Sequence, residues 1–205
     1  MSALYPAPAK AKGEIFMRTK DYRAEKKREI MGKCYECYCE KGLRDTGIKD
    51  LGKYCGMTSA NLYSYFPCVD DIIIESTEYS MSQVEQEFMA KAPESIDELY
   101  RFIEEAPYWT AERHGKKYRL MYQVYANPRY IEYGKEFFKG VKGRYTEYSR
   151  QLALKLGVSE EELSGFMLLF TNAALHYAMF EDEDCLKTQI KSLKTTLNAM
   201  LNKNK

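Results

Sequence analysis

The residues able to do chemistry are few, and their spacing limits what they can do. Cys34, Cys37 and Cys39 form a Cys-x-x-Cys-x-Cys run that invites a metal or thiol-redox reading. On a helix, at about 100° per residue, Cys34 and Cys37 share a face but Cys39 lies about 200° round from Cys37. The three cannot converge without unwinding, and no nearby His supplies a fourth ligand. Buried thiols acting as small hydrophobes are the simpler account. His114 and His176 are the two histidines, and neither has ligand-type neighbours. Glu104-Glu105 and the acidic run 181–184 read as solvated faces or a turn rather than paired catalytic carboxylates. No Gly-x-Ser-x-Gly elbow, phosphate-cradling Gly loop or His-Glu-x-x-His pattern occurs. The chain therefore reads as a non-enzyme, with no cofactor and no metal expected.

The aromatic residues carry more. Residues 100–148 hold nine of the eighteen Tyr, with Phe102, Trp109, Phe137 and Phe138 among them. Two readings stand side by side: an ordinary aromatic core, or a cavity for a small, largely apolar ligand that hydroxyls orient. Tyr108, Trp109, Tyr118, Met121, Tyr122 and Tyr125 are the candidate lining residues. Asn172 and His176 join them as candidates from the polar side of an apolar stretch over 163–180. That stretch is uncharged and touches the lower length of a membrane span. Its small and polar residues, among them Ser164, Gly165 and Thr171, fall within about 140° of one another, which reads as a buried helix with one polar face.

The elements that must position these groups are helical. Ile30, Cys34 and Tyr38 recur at i, i+4, i+8, and sustained period-two alternation is scarce. Ser95-Ile96-Asp97-Glu98 and Ser159-Glu160-Glu161-Glu162 fit the capping box ahead of apolar periodicity, and Gly157 is a helix stop. Pro93, Pro107 and Pro128 read as breaks or kinks. Leu186, Ile190, Leu193, Leu197 and Met200 are spaced 4-3-4-3, a seam for another helix. With Phe166 and Phe170, the residues Leu186, Ile190, Leu193 and Leu197 are the expected dimer interface. The expectation is an all-α chain of about nine helices.

Composition agrees with a globular protein: 45% hydrophobic, 30% charged and 14% aromatic residues in 205. The net charge of +1 hides an asymmetry. Residues 1–70 carry 13 basic and 9 acidic side chains, and the remainder carries 18 and 21. A basic first third suggests that this part meets a polyanion. The N-terminal residues lack the apolar run of a signal peptide, so the six Cys are expected as free thiols in the cytoplasm, with no membrane partner.

The basic third also holds the most specific pattern. A first helix reads over about 22–40 and stops at Gly42; a short second covers about 48–55; Gly56-Met57-Thr58 then leads into a third. Two short helices joined by such a turn make a helix-turn-helix. Thr58 can cap the third helix, and Leu51 and Leu62 can pack the two together. Ser59, Ala60, Asn61, Tyr63, Ser64 and Tyr65 are then left partly outward, of a shape that a major groove admits.

Over Ile30 to Ile73 the sequence resembles the TetR family of bacterial transcriptional regulators. The resemblance is carried by Glu40-Lys41-Gly42, by Thr46 through Leu51, and above all by Cys55-Gly56-Met57-Thr58-Ser59-Ala60-Asn61-Leu62-Tyr63-Ser64-Tyr65-Phe66-Pro67. It implies a recognition helix over 59–65, with Ser59, Ala60 and Asn61 facing base edges and Tyr63 and Tyr65 reaching phosphates or thymine methyls. It also implies that Lys49 contacts DNA from the second helix and that Lys26, Lys27 and Arg28 approach the backbone. Cys68-Val69 stands where the family usually has Ser-Lys, and Gly47 where a Thr is common. The implied organisation is a flexible arm over 1–21, a DNA-binding domain over 22–71, and a ligand-binding and dimerisation domain over 72–205. The implied function is a homodimeric repressor on a palindromic operator, released by a small apolar or aromatic effector. A thiol- or metal-responsive sensor using Cys34, Cys37 and Cys39 is the alternative, and an enzyme on a helical bundle the third reading.

Overall fold

The computed structural model describes the backbone of residues 9–202 and the side chains from residue 21 to residue 202. Among the described residues all regular structure is helical. The elements are α1 (Ala9–Lys41), α2 (Ile48–Cys55), α3 (Ser59–Tyr63), α4 (Val69–Met89), α5 (Ile96–Tyr125), α6 (Ile131–Leu156), α7 (Glu160–Phe180) and α8 (Glu183–Asn202). The expected arm lies outside the described residues over 1–8, and from Ala9 onward its backbone belongs to α1.

Local chemistry ends most helices where the sequence marks it. Gly42, Gly56 and Gly157 all adopt positive φ just beyond a helix, a conformation that an L side chain resists. Ser95 and Ser159 each accept a hydrogen bond from the backbone three residues on, at 3.3 and 3.4 Å. Pro107 behaves differently from its neighbours Pro93 and Pro128. It lies inside α5, so the described residues hold eight helices where about nine are expected. An interior proline costs about 3 kcal/mol. Buried Phe102, Ile103 and Ala106 flank it, and each large apolar side chain contributes about 1.5–3 kcal/mol, which is enough to carry the helix through.

Two cores result. The first joins α1, α2, α3 and the start of α4 to the C-terminal part of α5, with Tyr35, Leu51, Leu62, Phe66, Ile72 and Met121 fully buried. It therefore runs straight through the expected boundary at 71/72. The second gathers Phe88, Leu99, Phe102, Phe166, Phe170 and Leu197 from α4, α5, α7 and α8. Helix α7 is long and apolar enough to cross a membrane by composition, yet it packs against α5, α6 and α8.

His114 sits on α5 with 6% of its side chain exposed and Nε2 3.2 Å from Glu87 Oε2. Burial lowers its pKa, with Glu87 opposing. The folded state thus binds this proton less readily than the unfolded chain. The contribution is present above the unfolded value, about 6.5, and is lost as pH falls below it, at no more than about 1.4 kcal/mol per pH unit for one proton. Melting followed by circular dichroism should show this loss between pH 7 and 5, and His114→Gln should flatten it. An equally steep dependence in the variant would exclude His114 as its source.

Candidate functional site

The helix-turn-helix is built from caps and close approach. Asp50 accepts from the backbone N–H of Gly47 at 3.1 Å and from Lys41 Nζ at 2.6 Å, fixing the first turn of α2. Gly56 ends it at φ 69°. Thr58 Oγ1 accepts from the backbone of Asn61 at 3.2 Å, starting α3. Leu51 and Leu62 are wholly buried between the two helices. Gly52 permits their approach, since a Cβ there would lie 2.8 Å from the Met57 carbonyl oxygen.

This arrangement turns Thr58, Ala60, Asn61, Tyr63 and Ser64 to solvent, with Ser59 and Tyr65 half-buried. Helix α3 ends at Tyr63, so Ser64 and Tyr65 occupy the following turn rather than the helix. Lys49 and Arg28 are exposed, and neither forms an ion pair among the described residues. Lys26 and Lys27 are engaged within the chain. Lys26 pairs with Glu29 at 2.7 Å, and Lys27 pairs with Glu75 at 2.5 Å while its Nζ lies 4.9 Å from the Phe66 ring centre. One residue escaped the sequence reading. Arg23 donates to the Ser64 carbonyl at 2.5 Å and its guanidinium stands over the Tyr65 ring at 5.4 Å. It closes the C-terminal end of α3 and brings a further cation to the same edge. Its sequence signal, one basic residue at the expected start of a helix, is indistinguishable from a solvated charge.

Behind this unit, α4 begins without a side-chain-to-backbone cap; Cys68 Sγ lies 3.1 Å from Asp71 Oδ2. Asp70 is clasped by Arg129 and by the Tyr130 hydroxyl, the latter at 2.6 Å, both from the turn between α5 and α6. Further along, α4 lines two neighbouring spaces. An open groove of about 640 Å³ lies between α4 and α6. An inner cavity of about 50 Å³ lies among α4, α5, α6 and α7. Glu85 and Phe137 line both.

The aromatic candidates divide. Tyr118 and Met121 line the inner cavity. Tyr122 and Tyr125 stand behind its wall, stacked on Phe138 and Phe137 at 5.8 and 5.0 Å. Tyr108 and Trp109 lie elsewhere: Tyr108 donates to Glu183 at 3.0 Å, and Trp109 takes Lys91 Nζ over its ring at 4.2 Å. Asn172 is exposed, and His176, half-buried, stacks on exposed Phe180 at 5.0 Å, so neither lines the cavity. Thr171 and Leu175 supply the cavity wall in their place. Thr171 belongs to the polar stripe, and nothing in the spacing marks Leu175.

The expected dimer contacts need the same correction. Phe166, Phe170, Leu186, Leu193 and Leu197 are buried inside the single chain, and Ile190 is half-buried against them. The 4-3-4-3 seam is satisfied by the chain's own second core. The outward face is instead Gly165, Leu169 and Phe180 on α7, beside Ser192, Thr196 and Ala199 on α8. Leu169 and Phe180 are 62% and 67% exposed.

The thiols do not converge either. Cys34 and Cys37 are buried, and Cys34 Sγ lies 3.6 Å from Cys55 Sγ on α2. Cys39 points to the Lys116 carbonyl, where burial pushes its thiol up to about 11. Among the described residues no three His, Cys, Asp or Glu side chains gather as a metal site.

Two solved structures resemble this arrangement over most of its length. A TetR transcription regulator from Haloarcula marismortui superposes with a TM-score of 0.67 at 16% identity, covering 86% of this chain and 98% of its own. Thermus thermophilus FadR, a TetR-family transcriptional repressor in complex with lauroyl-CoA, gives 0.54 at 15%, covering 85% and 93%. The chain has the TetR-regulator fold. No family model matches the sequence, and no curated protein does. The TetR-like order of elements is thus shared where sequence identity is low, with α2 and α3 as the paired helices and α4 as the link.

Glycines give the sharpest check on this packing. Gly52→Ala should lower stability by about 1–3 kcal/mol, because backbone rather than a flexible side chain blocks the new methyl. Gly143→Ala, where a Cβ meets nothing within 4 Å on α6, should instead stabilise by about 0.5–1 kcal/mol. Urea titration of both variants tests the contrast; equal effects would refute the close approach at Gly52.

Proposed function

We propose that the chain is a DNA-binding transcriptional repressor of the cytoplasm, acting as a homodimer on a two-fold symmetric operator and released by a small effector. The observation that carries this is the exposed set Thr58, Ala60, Asn61 and Tyr63 on a capped second helix, flanked by the cations Arg23, Arg28 and Lys49. Short polar side chains can read base edges, while the cations hold phosphates and fix register. Asn61 is suited to bidentate contact with adenine. The fold shared with two TetR regulators supports the same reading.

A dimer supplies the second half-site. The uncharged face of α7 and α8, with Leu169 and Phe180 exposed, is the surface that would be covered by a second copy. The lysines Lys187 and Lys194 of α8 pair with Glu183 of the same helix and with Glu104 of α5. Half-sites must then be separated by about one helical turn or a multiple, about 34–36 Å per turn.

The effector would enter from the groove between α4 and α6. The inner cavity holds about 50 Å³, whereas a benzene-sized guest needs about 150 Å³. A ring-sized ligand must therefore move a wall, and one wall is α4. Because α4 emerges from the DNA-binding unit, moving it changes the spacing of the two recognition helices. Of the two neighbours, the one from Thermus thermophilus is in complex with lauroyl-CoA, a molecule with an apolar chain. That supports a ligand with an apolar part here.

Gel shift against a randomised palindromic pool tests the function directly. The native chain should select one symmetric site and bind it as a dimer. Lys49→Ala should flatten the log–log salt dependence by about 0.9 per lost phosphate contact on each subunit, while Asn61→Ala should relax sequence preference at one position per half-site. Leu169→Asp should yield monomers by light scattering and weaken operator binding. Salt-independent binding, or a fully active Leu169→Asp monomer, would overturn the proposal.

A further inference from the structure

Resting on the effector reading above, we propose that the ligand is an organic cation: an ammonium held by Glu85, with an apolar or aromatic body among the surrounding rings. The inner cavity is walled by Phe88, Tyr118, Phe137, Phe138 and Tyr145, and Glu85 is the one charged residue on its wall. Glu85 sits where the cavity meets the outer groove, and its side chain is 21% exposed. The groove adds Glu78 and Glu147, against one guanidinium, Arg144. Arg144 is already committed, with Nε 2.5 Å from Glu85 Oε1, and it lines only the groove. Ring faces are the negative ends of aromatic quadrupoles and attract a cation, an attraction that strengthens as water is excluded.

Each ligand charge meets this site differently. A carboxylate or phosphate would approach three glutamates, and its single possible partner would have to leave Glu85 unpaired at a partly buried position, which is unfavourable. A neutral ligand gains at most a hydrogen bond to Glu85, without the charge attraction. An ammonium can share Glu85 with Arg144 or displace it outward to solvent, where Arg144 is already half exposed. The room inside is small, about 50 Å³, so the apolar body enters only as α4 and α6 part. The Arg144–Glu85 bridge ties those two helices together across the groove. A cation competing for Glu85 therefore loosens one tie between these two helices, joining recognition to opening at one carboxylate.

The test uses a matched trio with one common body: phenylbutylamine, phenylbutanol and phenylbutyrate, titrated by calorimetry into the full chain. The amine should bind at least about tenfold more tightly than the alcohol, and the acid most weakly. Glu85→Gln should reduce the amine's affinity to that of the alcohol, with the alcohol unchanged. Arg144→Gln, which removes the competing cation, should tighten amine binding. Circular dichroism melting of both variants verifies folding, and Arg144→Gln keeps the test available if Glu85→Gln does not fold. Equal binding of amine and alcohol, strongest binding of the acid with loss in Arg144→Gln, or no binding by any of the three would each overturn the cation assignment. The regulator reading fails separately, if the chain selects no DNA; release of operator by a neutral or anionic compound would leave it standing without the cation.

Discussion

One helix has to satisfy two cores at once. The first third of α4 buries Ile72, Ile73 and Ile74 in the core that also holds the helix-turn-helix, and its last third buries Phe88 in the core of α5, α7 and α8. Between them Met81 and Glu85 border a cavity. The cavity lies at the seam where one core gives way to the other, where side chains committed to two packings leave a gap. Interiors are otherwise packed closely enough that a change at one face is passed on rather than absorbed. The TetR-like architecture places this small space against the helix that leads out of the helix-turn-helix.

How much of this was legible follows from how local each feature is. The helix-turn-helix could be read because its determinants lie within a few residues: Gly56 at positive φ, the Thr58 cap, and Leu51 and Leu62 spaced to meet. Its extent was less legible. Helix α3 stops at Tyr63 because Ser64 and Tyr65 turn back, under Arg23 from a helix some forty residues earlier, a partner that spacing cannot name. Pro107, expected as a break or kink, lies within α5 for a related reason. The local penalty is real, but the burial that outweighs it comes from helices far along the chain.

Periodicity identifies a buried face without saying what covers it. The 4-3-4-3 seam of α8 is apolar and is buried, as its spacing requires, but its partners are α5 and α7 of the same chain. In the same way the polar stripe of α7 divides: Thr171 borders the cavity beside Leu175, whereas Asn172 is exposed and His176 packs on Phe180. Of the aromatic residues concentrated in 100–148, Tyr118, Phe137, Phe138 and Tyr145 surround the cavity. Tyr108 and Trp109, only some ten residues from Tyr118 on the same helix, look out on other surfaces. Glu85 carried no sequence signal, because a glutamate on an amphipathic helix ordinarily faces water.

The energies of the contacts made by the start of α4 decide which of them yields when the helix is pushed. At its start, Ile72, Ile73 and Ile74 are 0%, 8% and 7% exposed, and burying each contributes about 1.5–3 kcal/mol. Separating α4 from α1 would forfeit several kcal/mol. The clasp of Asp70 by Arg129 and Tyr130 is cheaper to break: Arg129 is 68% exposed, and a solvent-exposed ion pair contributes about 0–1 kcal/mol. Coupling free energies between sites are typically about 1–3 kcal/mol, enough to open the clasp but not to strip three isoleucines from a core. Helix α4 is therefore held far more firmly to α1, and to Leu120, Met121 and Val124 of α5 in the same core, than to the turn between α5 and α6.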